Sequence, residues 1–194
     1  MTAPVLGRRE RKKAATRKAL ADAALALFLE RGFDQVTVAE IAEAADVSVT
    51  TLFKHFPSKE ALVFDEDSAQ EAELVAAVRD RDPGAPLLDA LQAFLVARFA
   101  DADSVLRDPD LARFRELASS TPSVREYGRR MWVRHEDALA RAIAEDLGLD
   151  GPTAAVRVLA HVVTDVPALL HDPGVDAREQ IDALFALVRD GWPL

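Results

Sequence analysis

Thr50, Thr51, Lys54 and His55 share one side of a short segment, VTTLFKHF, at residues 49–56. Small hydroxyls let a helix approach base edges in a DNA major groove. A threonine methyl can touch a thymine methyl, and a lysine can reach guanine or a phosphate. His55, and Lys59 just beyond, stand near the end of the segment, where a backbone phosphate is the better partner. The amides that follow Thr37, at the start of the preceding helical segment, offer a second phosphate position. The competing reading is an ordinary helical hairpin whose polar side faces water.

Either reading needs elements that hold this side outward. Leu20, Ala24, Leu27 and Phe28 form one apolar stripe at helical spacing, which predicts a helix over about 9–31 with Gly32 as its C′ residue. Thr37 and Glu40 have the spacing of a capping box, and Val36 and Ile41 that of a hydrophobic staple, so a second helix starts there and stops near Ala45. Asp46 and Val47 make a turn that wants a left-handed residue, a conformation aspartate tolerates. Ser48 caps a third helix, in which Val49, Leu52, Phe53 and Phe56 are expected to face the core. Pro57 ends it, and Ser58 caps the next helix, with Glu60 in the first turn. A helix of two turns is unstable alone, so packing from behind must hold it rigid.

The chain has 194 residues, enough for one good core or one core plus a small satellite domain. Apolar residues make up 49%, which excludes a disordered chain. The absence of cysteine excludes disulfides and cysteine-based metal sites. No apolar run is long enough for a membrane span, and no apolar h-region follows the basic N-terminus, so a cytoplasmic protein is expected. The net charge of −9 argues against nucleic acid until its distribution is considered. Residues 1–62 carry 10 Lys and Arg against 8 Asp and Glu, whereas residues 63–194 carry 14 against 25. Seven of those cations, from Arg8 to Lys18, fall within eleven residues beside the single anion Glu10. Only such a basic head on an acidic body could dock on phosphates. A solvated tail without a role explains the same charge run.

After Ser58, proline, glycine and aspartate clusters divide the chain into helices over about 58–80, 86–103, 109–119 (opened by Asp108–Pro109), 122–147, 152–170 and 176–191. No strand pattern occurs, so the expected fold is all-α, with about nine helices. The domain boundary is placed between residues 57 and 58. The segment 152–170 is apolar nearly all round, and Ile181, Leu184, Phe185 and Val188, with Trp192 beyond, line one side of 176–191. Two such segments from each of two subunits would form a four-helix bundle and a homodimer. The alternative is that 152–170 is the centre of a monomeric bundle. Phe94, Phe99, Phe114, Tyr127, Met131 and Trp132 are placed as core aromatics and gap-fillers. His161 and Asp165, at i and i+4, could orient a ligand, satisfy each other in the core or meet across a dimer, and His135 sits near Trp132. RHEDALA lacks the second histidine of H-E-x-x-H, and no phosphate loop, nucleophile elbow or cysteine nucleophile is present. No enzyme activity, metal or cofactor is therefore expected.

TVAEIAEAADVSVTTLFKHFPSKEAL, preceded by a long helix ending in FLERGF, resembles the DNA-binding domain of the TetR family of bacterial transcriptional regulators over about residues 10–63. The resemblance implies a repressor that binds a pseudo-palindromic operator as a two-fold dimer and is released by a small molecule in its C-terminal domain. It implies that Val49, Thr50 and Thr51, headed by Ser48, read bases and that Thr37, Lys54, His55 and Lys59 clamp the backbone. Phe53 stands where the family often has a tyrosine that meets a phosphate, Asp46 stands where glycine is common, and Val49 is apolar where a polar reader is common. Arg8–Lys13 would reach along the backbone or into a minor groove. The bundle that holds Phe94, Phe114, Tyr127, Met131, Trp132, His135, His161 and Asp165 would enclose a pocket for an effector, lipophilic by its lining. A continuous helix over 58–80 would transmit occupancy to the recognition helices. The alternative function is a helical dimeric module that binds a small molecule or protein without a DNA role.

Overall fold

The computed structural model describes residues 7–65, 67–100, 109–170 and 176–191. All regular structure among them is helical. The expected cap at Asp108, the break at 171–174 and Trp192 lie outside the described residues. The helices are α1 (Arg8–Arg31), α2 (Val38–Ala44), α3 (Val49–His55), α4 (Asp67–Arg79), α5 (Leu87–Arg98), α6 (Pro109–Ser120), α7 (Pro122–Asp146), α8 (Ala154–Thr164), α9 (Val166–Leu169) and α10 (Ala177–Asp190), with a 3-10 turn at Glu60–Leu62. They divide into two compact units, Met1–Glu66 with Arg113–Gly128, and Asp67–Ala112 with Arg129–Leu194.

In the first unit α1, α2 and α3 close over Leu20, Ala24, Phe28, Val36, Ile41, Leu52 and Phe56. Both cap signatures form. The Thr37 hydroxyl accepts from the Glu40 amide while the Glu40 carboxylate accepts from the Thr37 amide, and Ser48 accepts from the Thr51 amide. Asp46 adopts φ 52°, the left-handed turn expected of it, and Gly32 ends α1 at φ 83°.

The helix expected over 58–80 is interrupted. Ser58 does cap, accepting from the Ala61 amide, but only a 3-10 turn follows before α4 begins at Asp67. Ala61, Leu62 and Val63 are consecutive and all buried in the first core. This places residues 58–65 with the head rather than with the body, and Leu117 and Val124 join the same core.

In the second unit α4, α5, α7, α8 and α10 enclose Leu74, Leu91, Leu139, Ile143, Val163, Ile181 and Phe185. The single helix expected over 152–170 breaks between Thr164 and Val166. Pro167 has no N–H for the Val163 carbonyl, and the Thr164 hydroxyl bonds back to the carbonyls of Ala160 and His161. Nor do His161 and Asp165 pair in the core. Both are exposed, and His161 meets Glu136 at 2.9 Å, because Asp165 lies past the end of α8, where its own amide takes the His161 carbonyl.

Candidate nucleic-acid interface and effector cavity

Within α3, Leu52 and Phe56 are buried at 0% and 1% exposure and pin the helix to the first core. Phe53 was expected beside them but is 49% exposed, and Val49 is 36% exposed. Phe53 lies about 100° round the helix from Leu52, beyond the side of α3 that the first core covers. Val49, Thr50, Phe53 and Lys54 form the outward arc. Thr51 is half-buried at its edge, its hydroxyl 2.9 Å from that of Ser48.

The expected backbone clamps divide. Lys54 projects freely to solvent. His55 is half-buried, its Nδ1 is buried without a partner, and burial, then the Arg17 and Lys13 charges, push its pKa down. Lys59 turns inward. Its Nζ donates to the Phe33 carbonyl at 2.5 Å and lies 4.2 Å from the centre of the Phe33 ring, and burial lowers its pKa. Lys59 therefore stabilises the head rather than extending from it. The Thr37 amide and hydroxyl are both taken by Glu40.

Arg17 escaped sequence reasoning because it reads as one more cation of the basic run. Its guanidinium donates to the His55 carbonyl at 2.8 Å and the Asp65 carbonyl at 2.7 Å, approaches the Asp65 carboxylate at 2.8 Å, and lies 4.2 Å over the Phe56 ring. It ties the C-terminal end of α3 to α1 and to the segment before α4. No local spacing announces a contact between residues 48 apart. The remaining expected arm, Arg8–Lys13, is the exposed first part of α1.

Glu40 gives the head a signature in acid. The Thr37 amide, the Thr37 hydroxyl and Arg31 at 2.8 Å pull its carboxyl down to about 2. Folding thus favours the ionised form, so this contribution is complete above the ordinary value of 4.5 and is lost as pH falls from there towards 2. In urea melts across that range, Glu40→Gln should be less stable than the parent at neutral pH and should lose less stability on acidification. Parallel acid limbs for the two proteins would contradict this assignment.

In the second unit a cavity of 220 Å³ opens between α4, α5, α7, α8 and α9. Of the residues expected at a ligand, Phe94, Trp132 and His135 line it, with Leu74, Phe99 and Val163. The others do not. Phe114 and Tyr127 pack on the first core, Tyr127 stacked on Phe64, and Met131 is buried without reaching the cavity. His161 and Asp165 face solvent. The His135 ring is 1% exposed, stands edge-on to Trp132, and places Nε2 2.7 Å from the Asp67 carboxylate, which Arg134 meets at 2.6 Å. Asp67 is the first residue of α4 and of the second unit. It too was missed, being 68 positions from His135.

The profile described as bacterial regulatory proteins of the tetR family matches residues 20–65, the capped α2–α3 head. The HTH-type transcriptional repressor KstR of Rhodococcus jostii is 31% identical over 149 residues, covering 75% of this chain and 68% of its own. This chain belongs to the TetR family. The HTH-type transcriptional regulator TcmR of Streptomyces glaucescens is 38% identical over 149 residues, 74% of this chain and 66% of that one. FadR from Bacillus subtilis, solved in complex with stearoyl-CoA, shares the fold at TM-score 0.54 and 16% identity over 91% of this chain and 99% of its own. The chain is a transcriptional regulator with the all-helical TetR-family fold, and its relatives are regulators rather than enzymes. Regulators of this family bind DNA and form dimers. No helix among the described residues is long and apolar enough to cross a membrane.

Proposed function

We propose that the protein is a cytoplasmic repressor that binds a pseudo-palindromic operator as a homodimer and leaves it when a small lipophilic molecule enters the cavity of the second unit. The observation that carries this reading is the outward arc of α3. Val49, Thr50, Phe53 and Lys54 face solvent from a helix fixed behind by Leu52 and Phe56. Val49 and Phe53 suit thymine methyls, Thr50 suits a base edge, and Lys54 suits guanine or a phosphate.

The dimer forms through α8 and α10. Val158 is 63% exposed and Val188 39% exposed on these otherwise core-forming helices, which is the unpaired apolar surface that a second copy would cover. The effector acts through His135, which lines the cavity and holds Asp67 at the start of α4. A ligand that displaces the His135 ring on filling the cavity changes the setting of Asp67 at the start of α4. Coupling of this kind is worth about 1–3 kcal/mol in operator affinity.

Binding to the DNA upstream of its own gene should weaken steeply with salt. Lys54→Ala should reduce the slope of log affinity against log salt by about 1 if Lys54 meets a phosphate. If no DNA, specific or otherwise, shows salt-dependent retardation, the helical module without a DNA role replaces this reading.

A further inference from the structure

The cavity has apolar walls and an uncommon rim. Arg98, in the last turn of α5, stands at its edge and is exposed. Other arginines of this unit are matched to acids: Arg79 with Glu145, Arg81 with Asp146, Arg141 with Asp137 and Arg189 with Asp89. Arg98 has no carboxylate partner among the described residues, although residues 63–194 hold 25 acids against 14 cations. On so acidic a surface an unmatched guanidinium beside an apolar hollow is a local exception to the field.

The remaining polar groups of the lining offer less to an anionic head: Gln70 is a neutral amide that can donate a hydrogen bond but carries no charge. The Thr164 hydroxyl is bonded to the carbonyls of Ala160 and His161, and His135 Nε2 faces the Asp67 carboxylate. Arg98 presents donors in a fork that matches a carboxylate. The volume of 220 Å³ exceeds that of an engineered apolar cavity of ~150 Å³ that accepts benzene, so it holds an apolar body of about eight carbons.

Resting on the effector reading above, we propose that the ligand is an amphiphilic carboxylate. Its apolar body lies against Leu74, Phe94, Phe99, Trp132 and Val163, and its carboxylate pairs with Arg98. The net charge of the body disfavours an anion, and Arg98 offsets this at the rim, so Arg98 sets specificity by sign of charge. Without Arg98 the same field would favour a cationic amphiphile.

Octanoate, octan-1-ol and octylamine, titrated calorimetrically into the full-length protein, separate the possibilities. Octanoate should bind roughly two- to fivefold more tightly than octanol, the factor expected of one exposed ion pair. Arg98→Gln should abolish that advantage and leave octanol affinity unchanged. Val163→Phe, which fills the cavity, should weaken all three. Octanol or octylamine binding as tightly as octanoate, or octanoate unaffected by Arg98→Gln, overturns the carboxylate assignment while the cavity remains an effector site. If none of the three binds, or if binding ignores Val163→Phe, the effector reading itself fails along with the proposal.

Discussion

Val158→Asp is expected to leave a monomer that binds its operator about 10³-fold more weakly, the order by which linking two binding events exceeds one. Val158 is the most exposed large apolar side chain on the described residues of α8, on a helix whose Val156, Ala160 and Val163 are buried in its own unit. In a two-fold interface both subunits use the same patch, so one substitution places a carboxylate in the interface twice. Burying an unpaired charge costs several kcal/mol, and the interface would bury two of them. Val158 is 63% exposed and lies outside the core of its own unit, so each chain should stay folded. Sedimentation velocity should show the mass halved while the helical circular dichroism is retained. Operator binding should fall because only one half-site can be held at a time. A variant that sediments as a dimer would move the interface away from this face of α8.

Leu52→Ala and Phe53→Ala should differ sharply although the residues are neighbours. Leu52 is fully buried behind the reading arc, and its truncation should cost about 2–5 kcal/mol. Phe56 and the Arg17 brace still hold the C-terminal end of this seven-residue helix, so α3 should loosen rather than detach, and operator binding should weaken. The second unit has its own core and should remain helical. Phe53→Ala removes a half-exposed ring and should change stability by no more than about 0.5 kcal/mol, the usual range for surface substitutions. Its effect should fall on recognition, measured as a loss of the preference for thymine over deoxyuridine at the contacted position. Equal stability losses for the two variants would show that Phe53 is packed in solution. A Leu52→Ala protein that binds its operator as tightly as the parent would remove α3 from the interface.

Much of the head was legible because its signals are local. The Thr37–Glu40 box, the Ser48 cap and the left-handed Asp46 involve residues within a few positions, where backbone geometry dictates the outcome. The error at Phe53 was also local. An i, i+4 spacing marks a shared stripe, but it does not say how wide a stripe a short helix can bury. The interrupted helix at 58–80 has the opposite cause. Its capping signal is real, yet burial of Ala61, Leu62 and Val63 in the first core prevails over continuation of the helix.

The cavity was less legible. Aromatic residues at helical spacing look the same whether they fill a core or line a hollow. The sequence therefore proposed Phe94 and Trp132 on the same footing as Phe114 and Tyr127, and only packing separated them. His161 and Asp165 illustrate the limit, since a break after Thr164 moves the second residue off the helix on which the pairing depended.

The sequence alone determined the helical class, the caps and turn of α2 and α3, the basic head on an acidic body and the family, because each depends on neighbours or on composition. Tertiary structure decided which lysine faces out, that Arg17 braces α3, that His135 holds Asp67 beside a cavity, and that Arg98 stands at its rim without a described acid. These depend on residues dozens of positions apart that folding brings together. Neither hydrophobic periodicity nor capping chemistry carries information over such a separation.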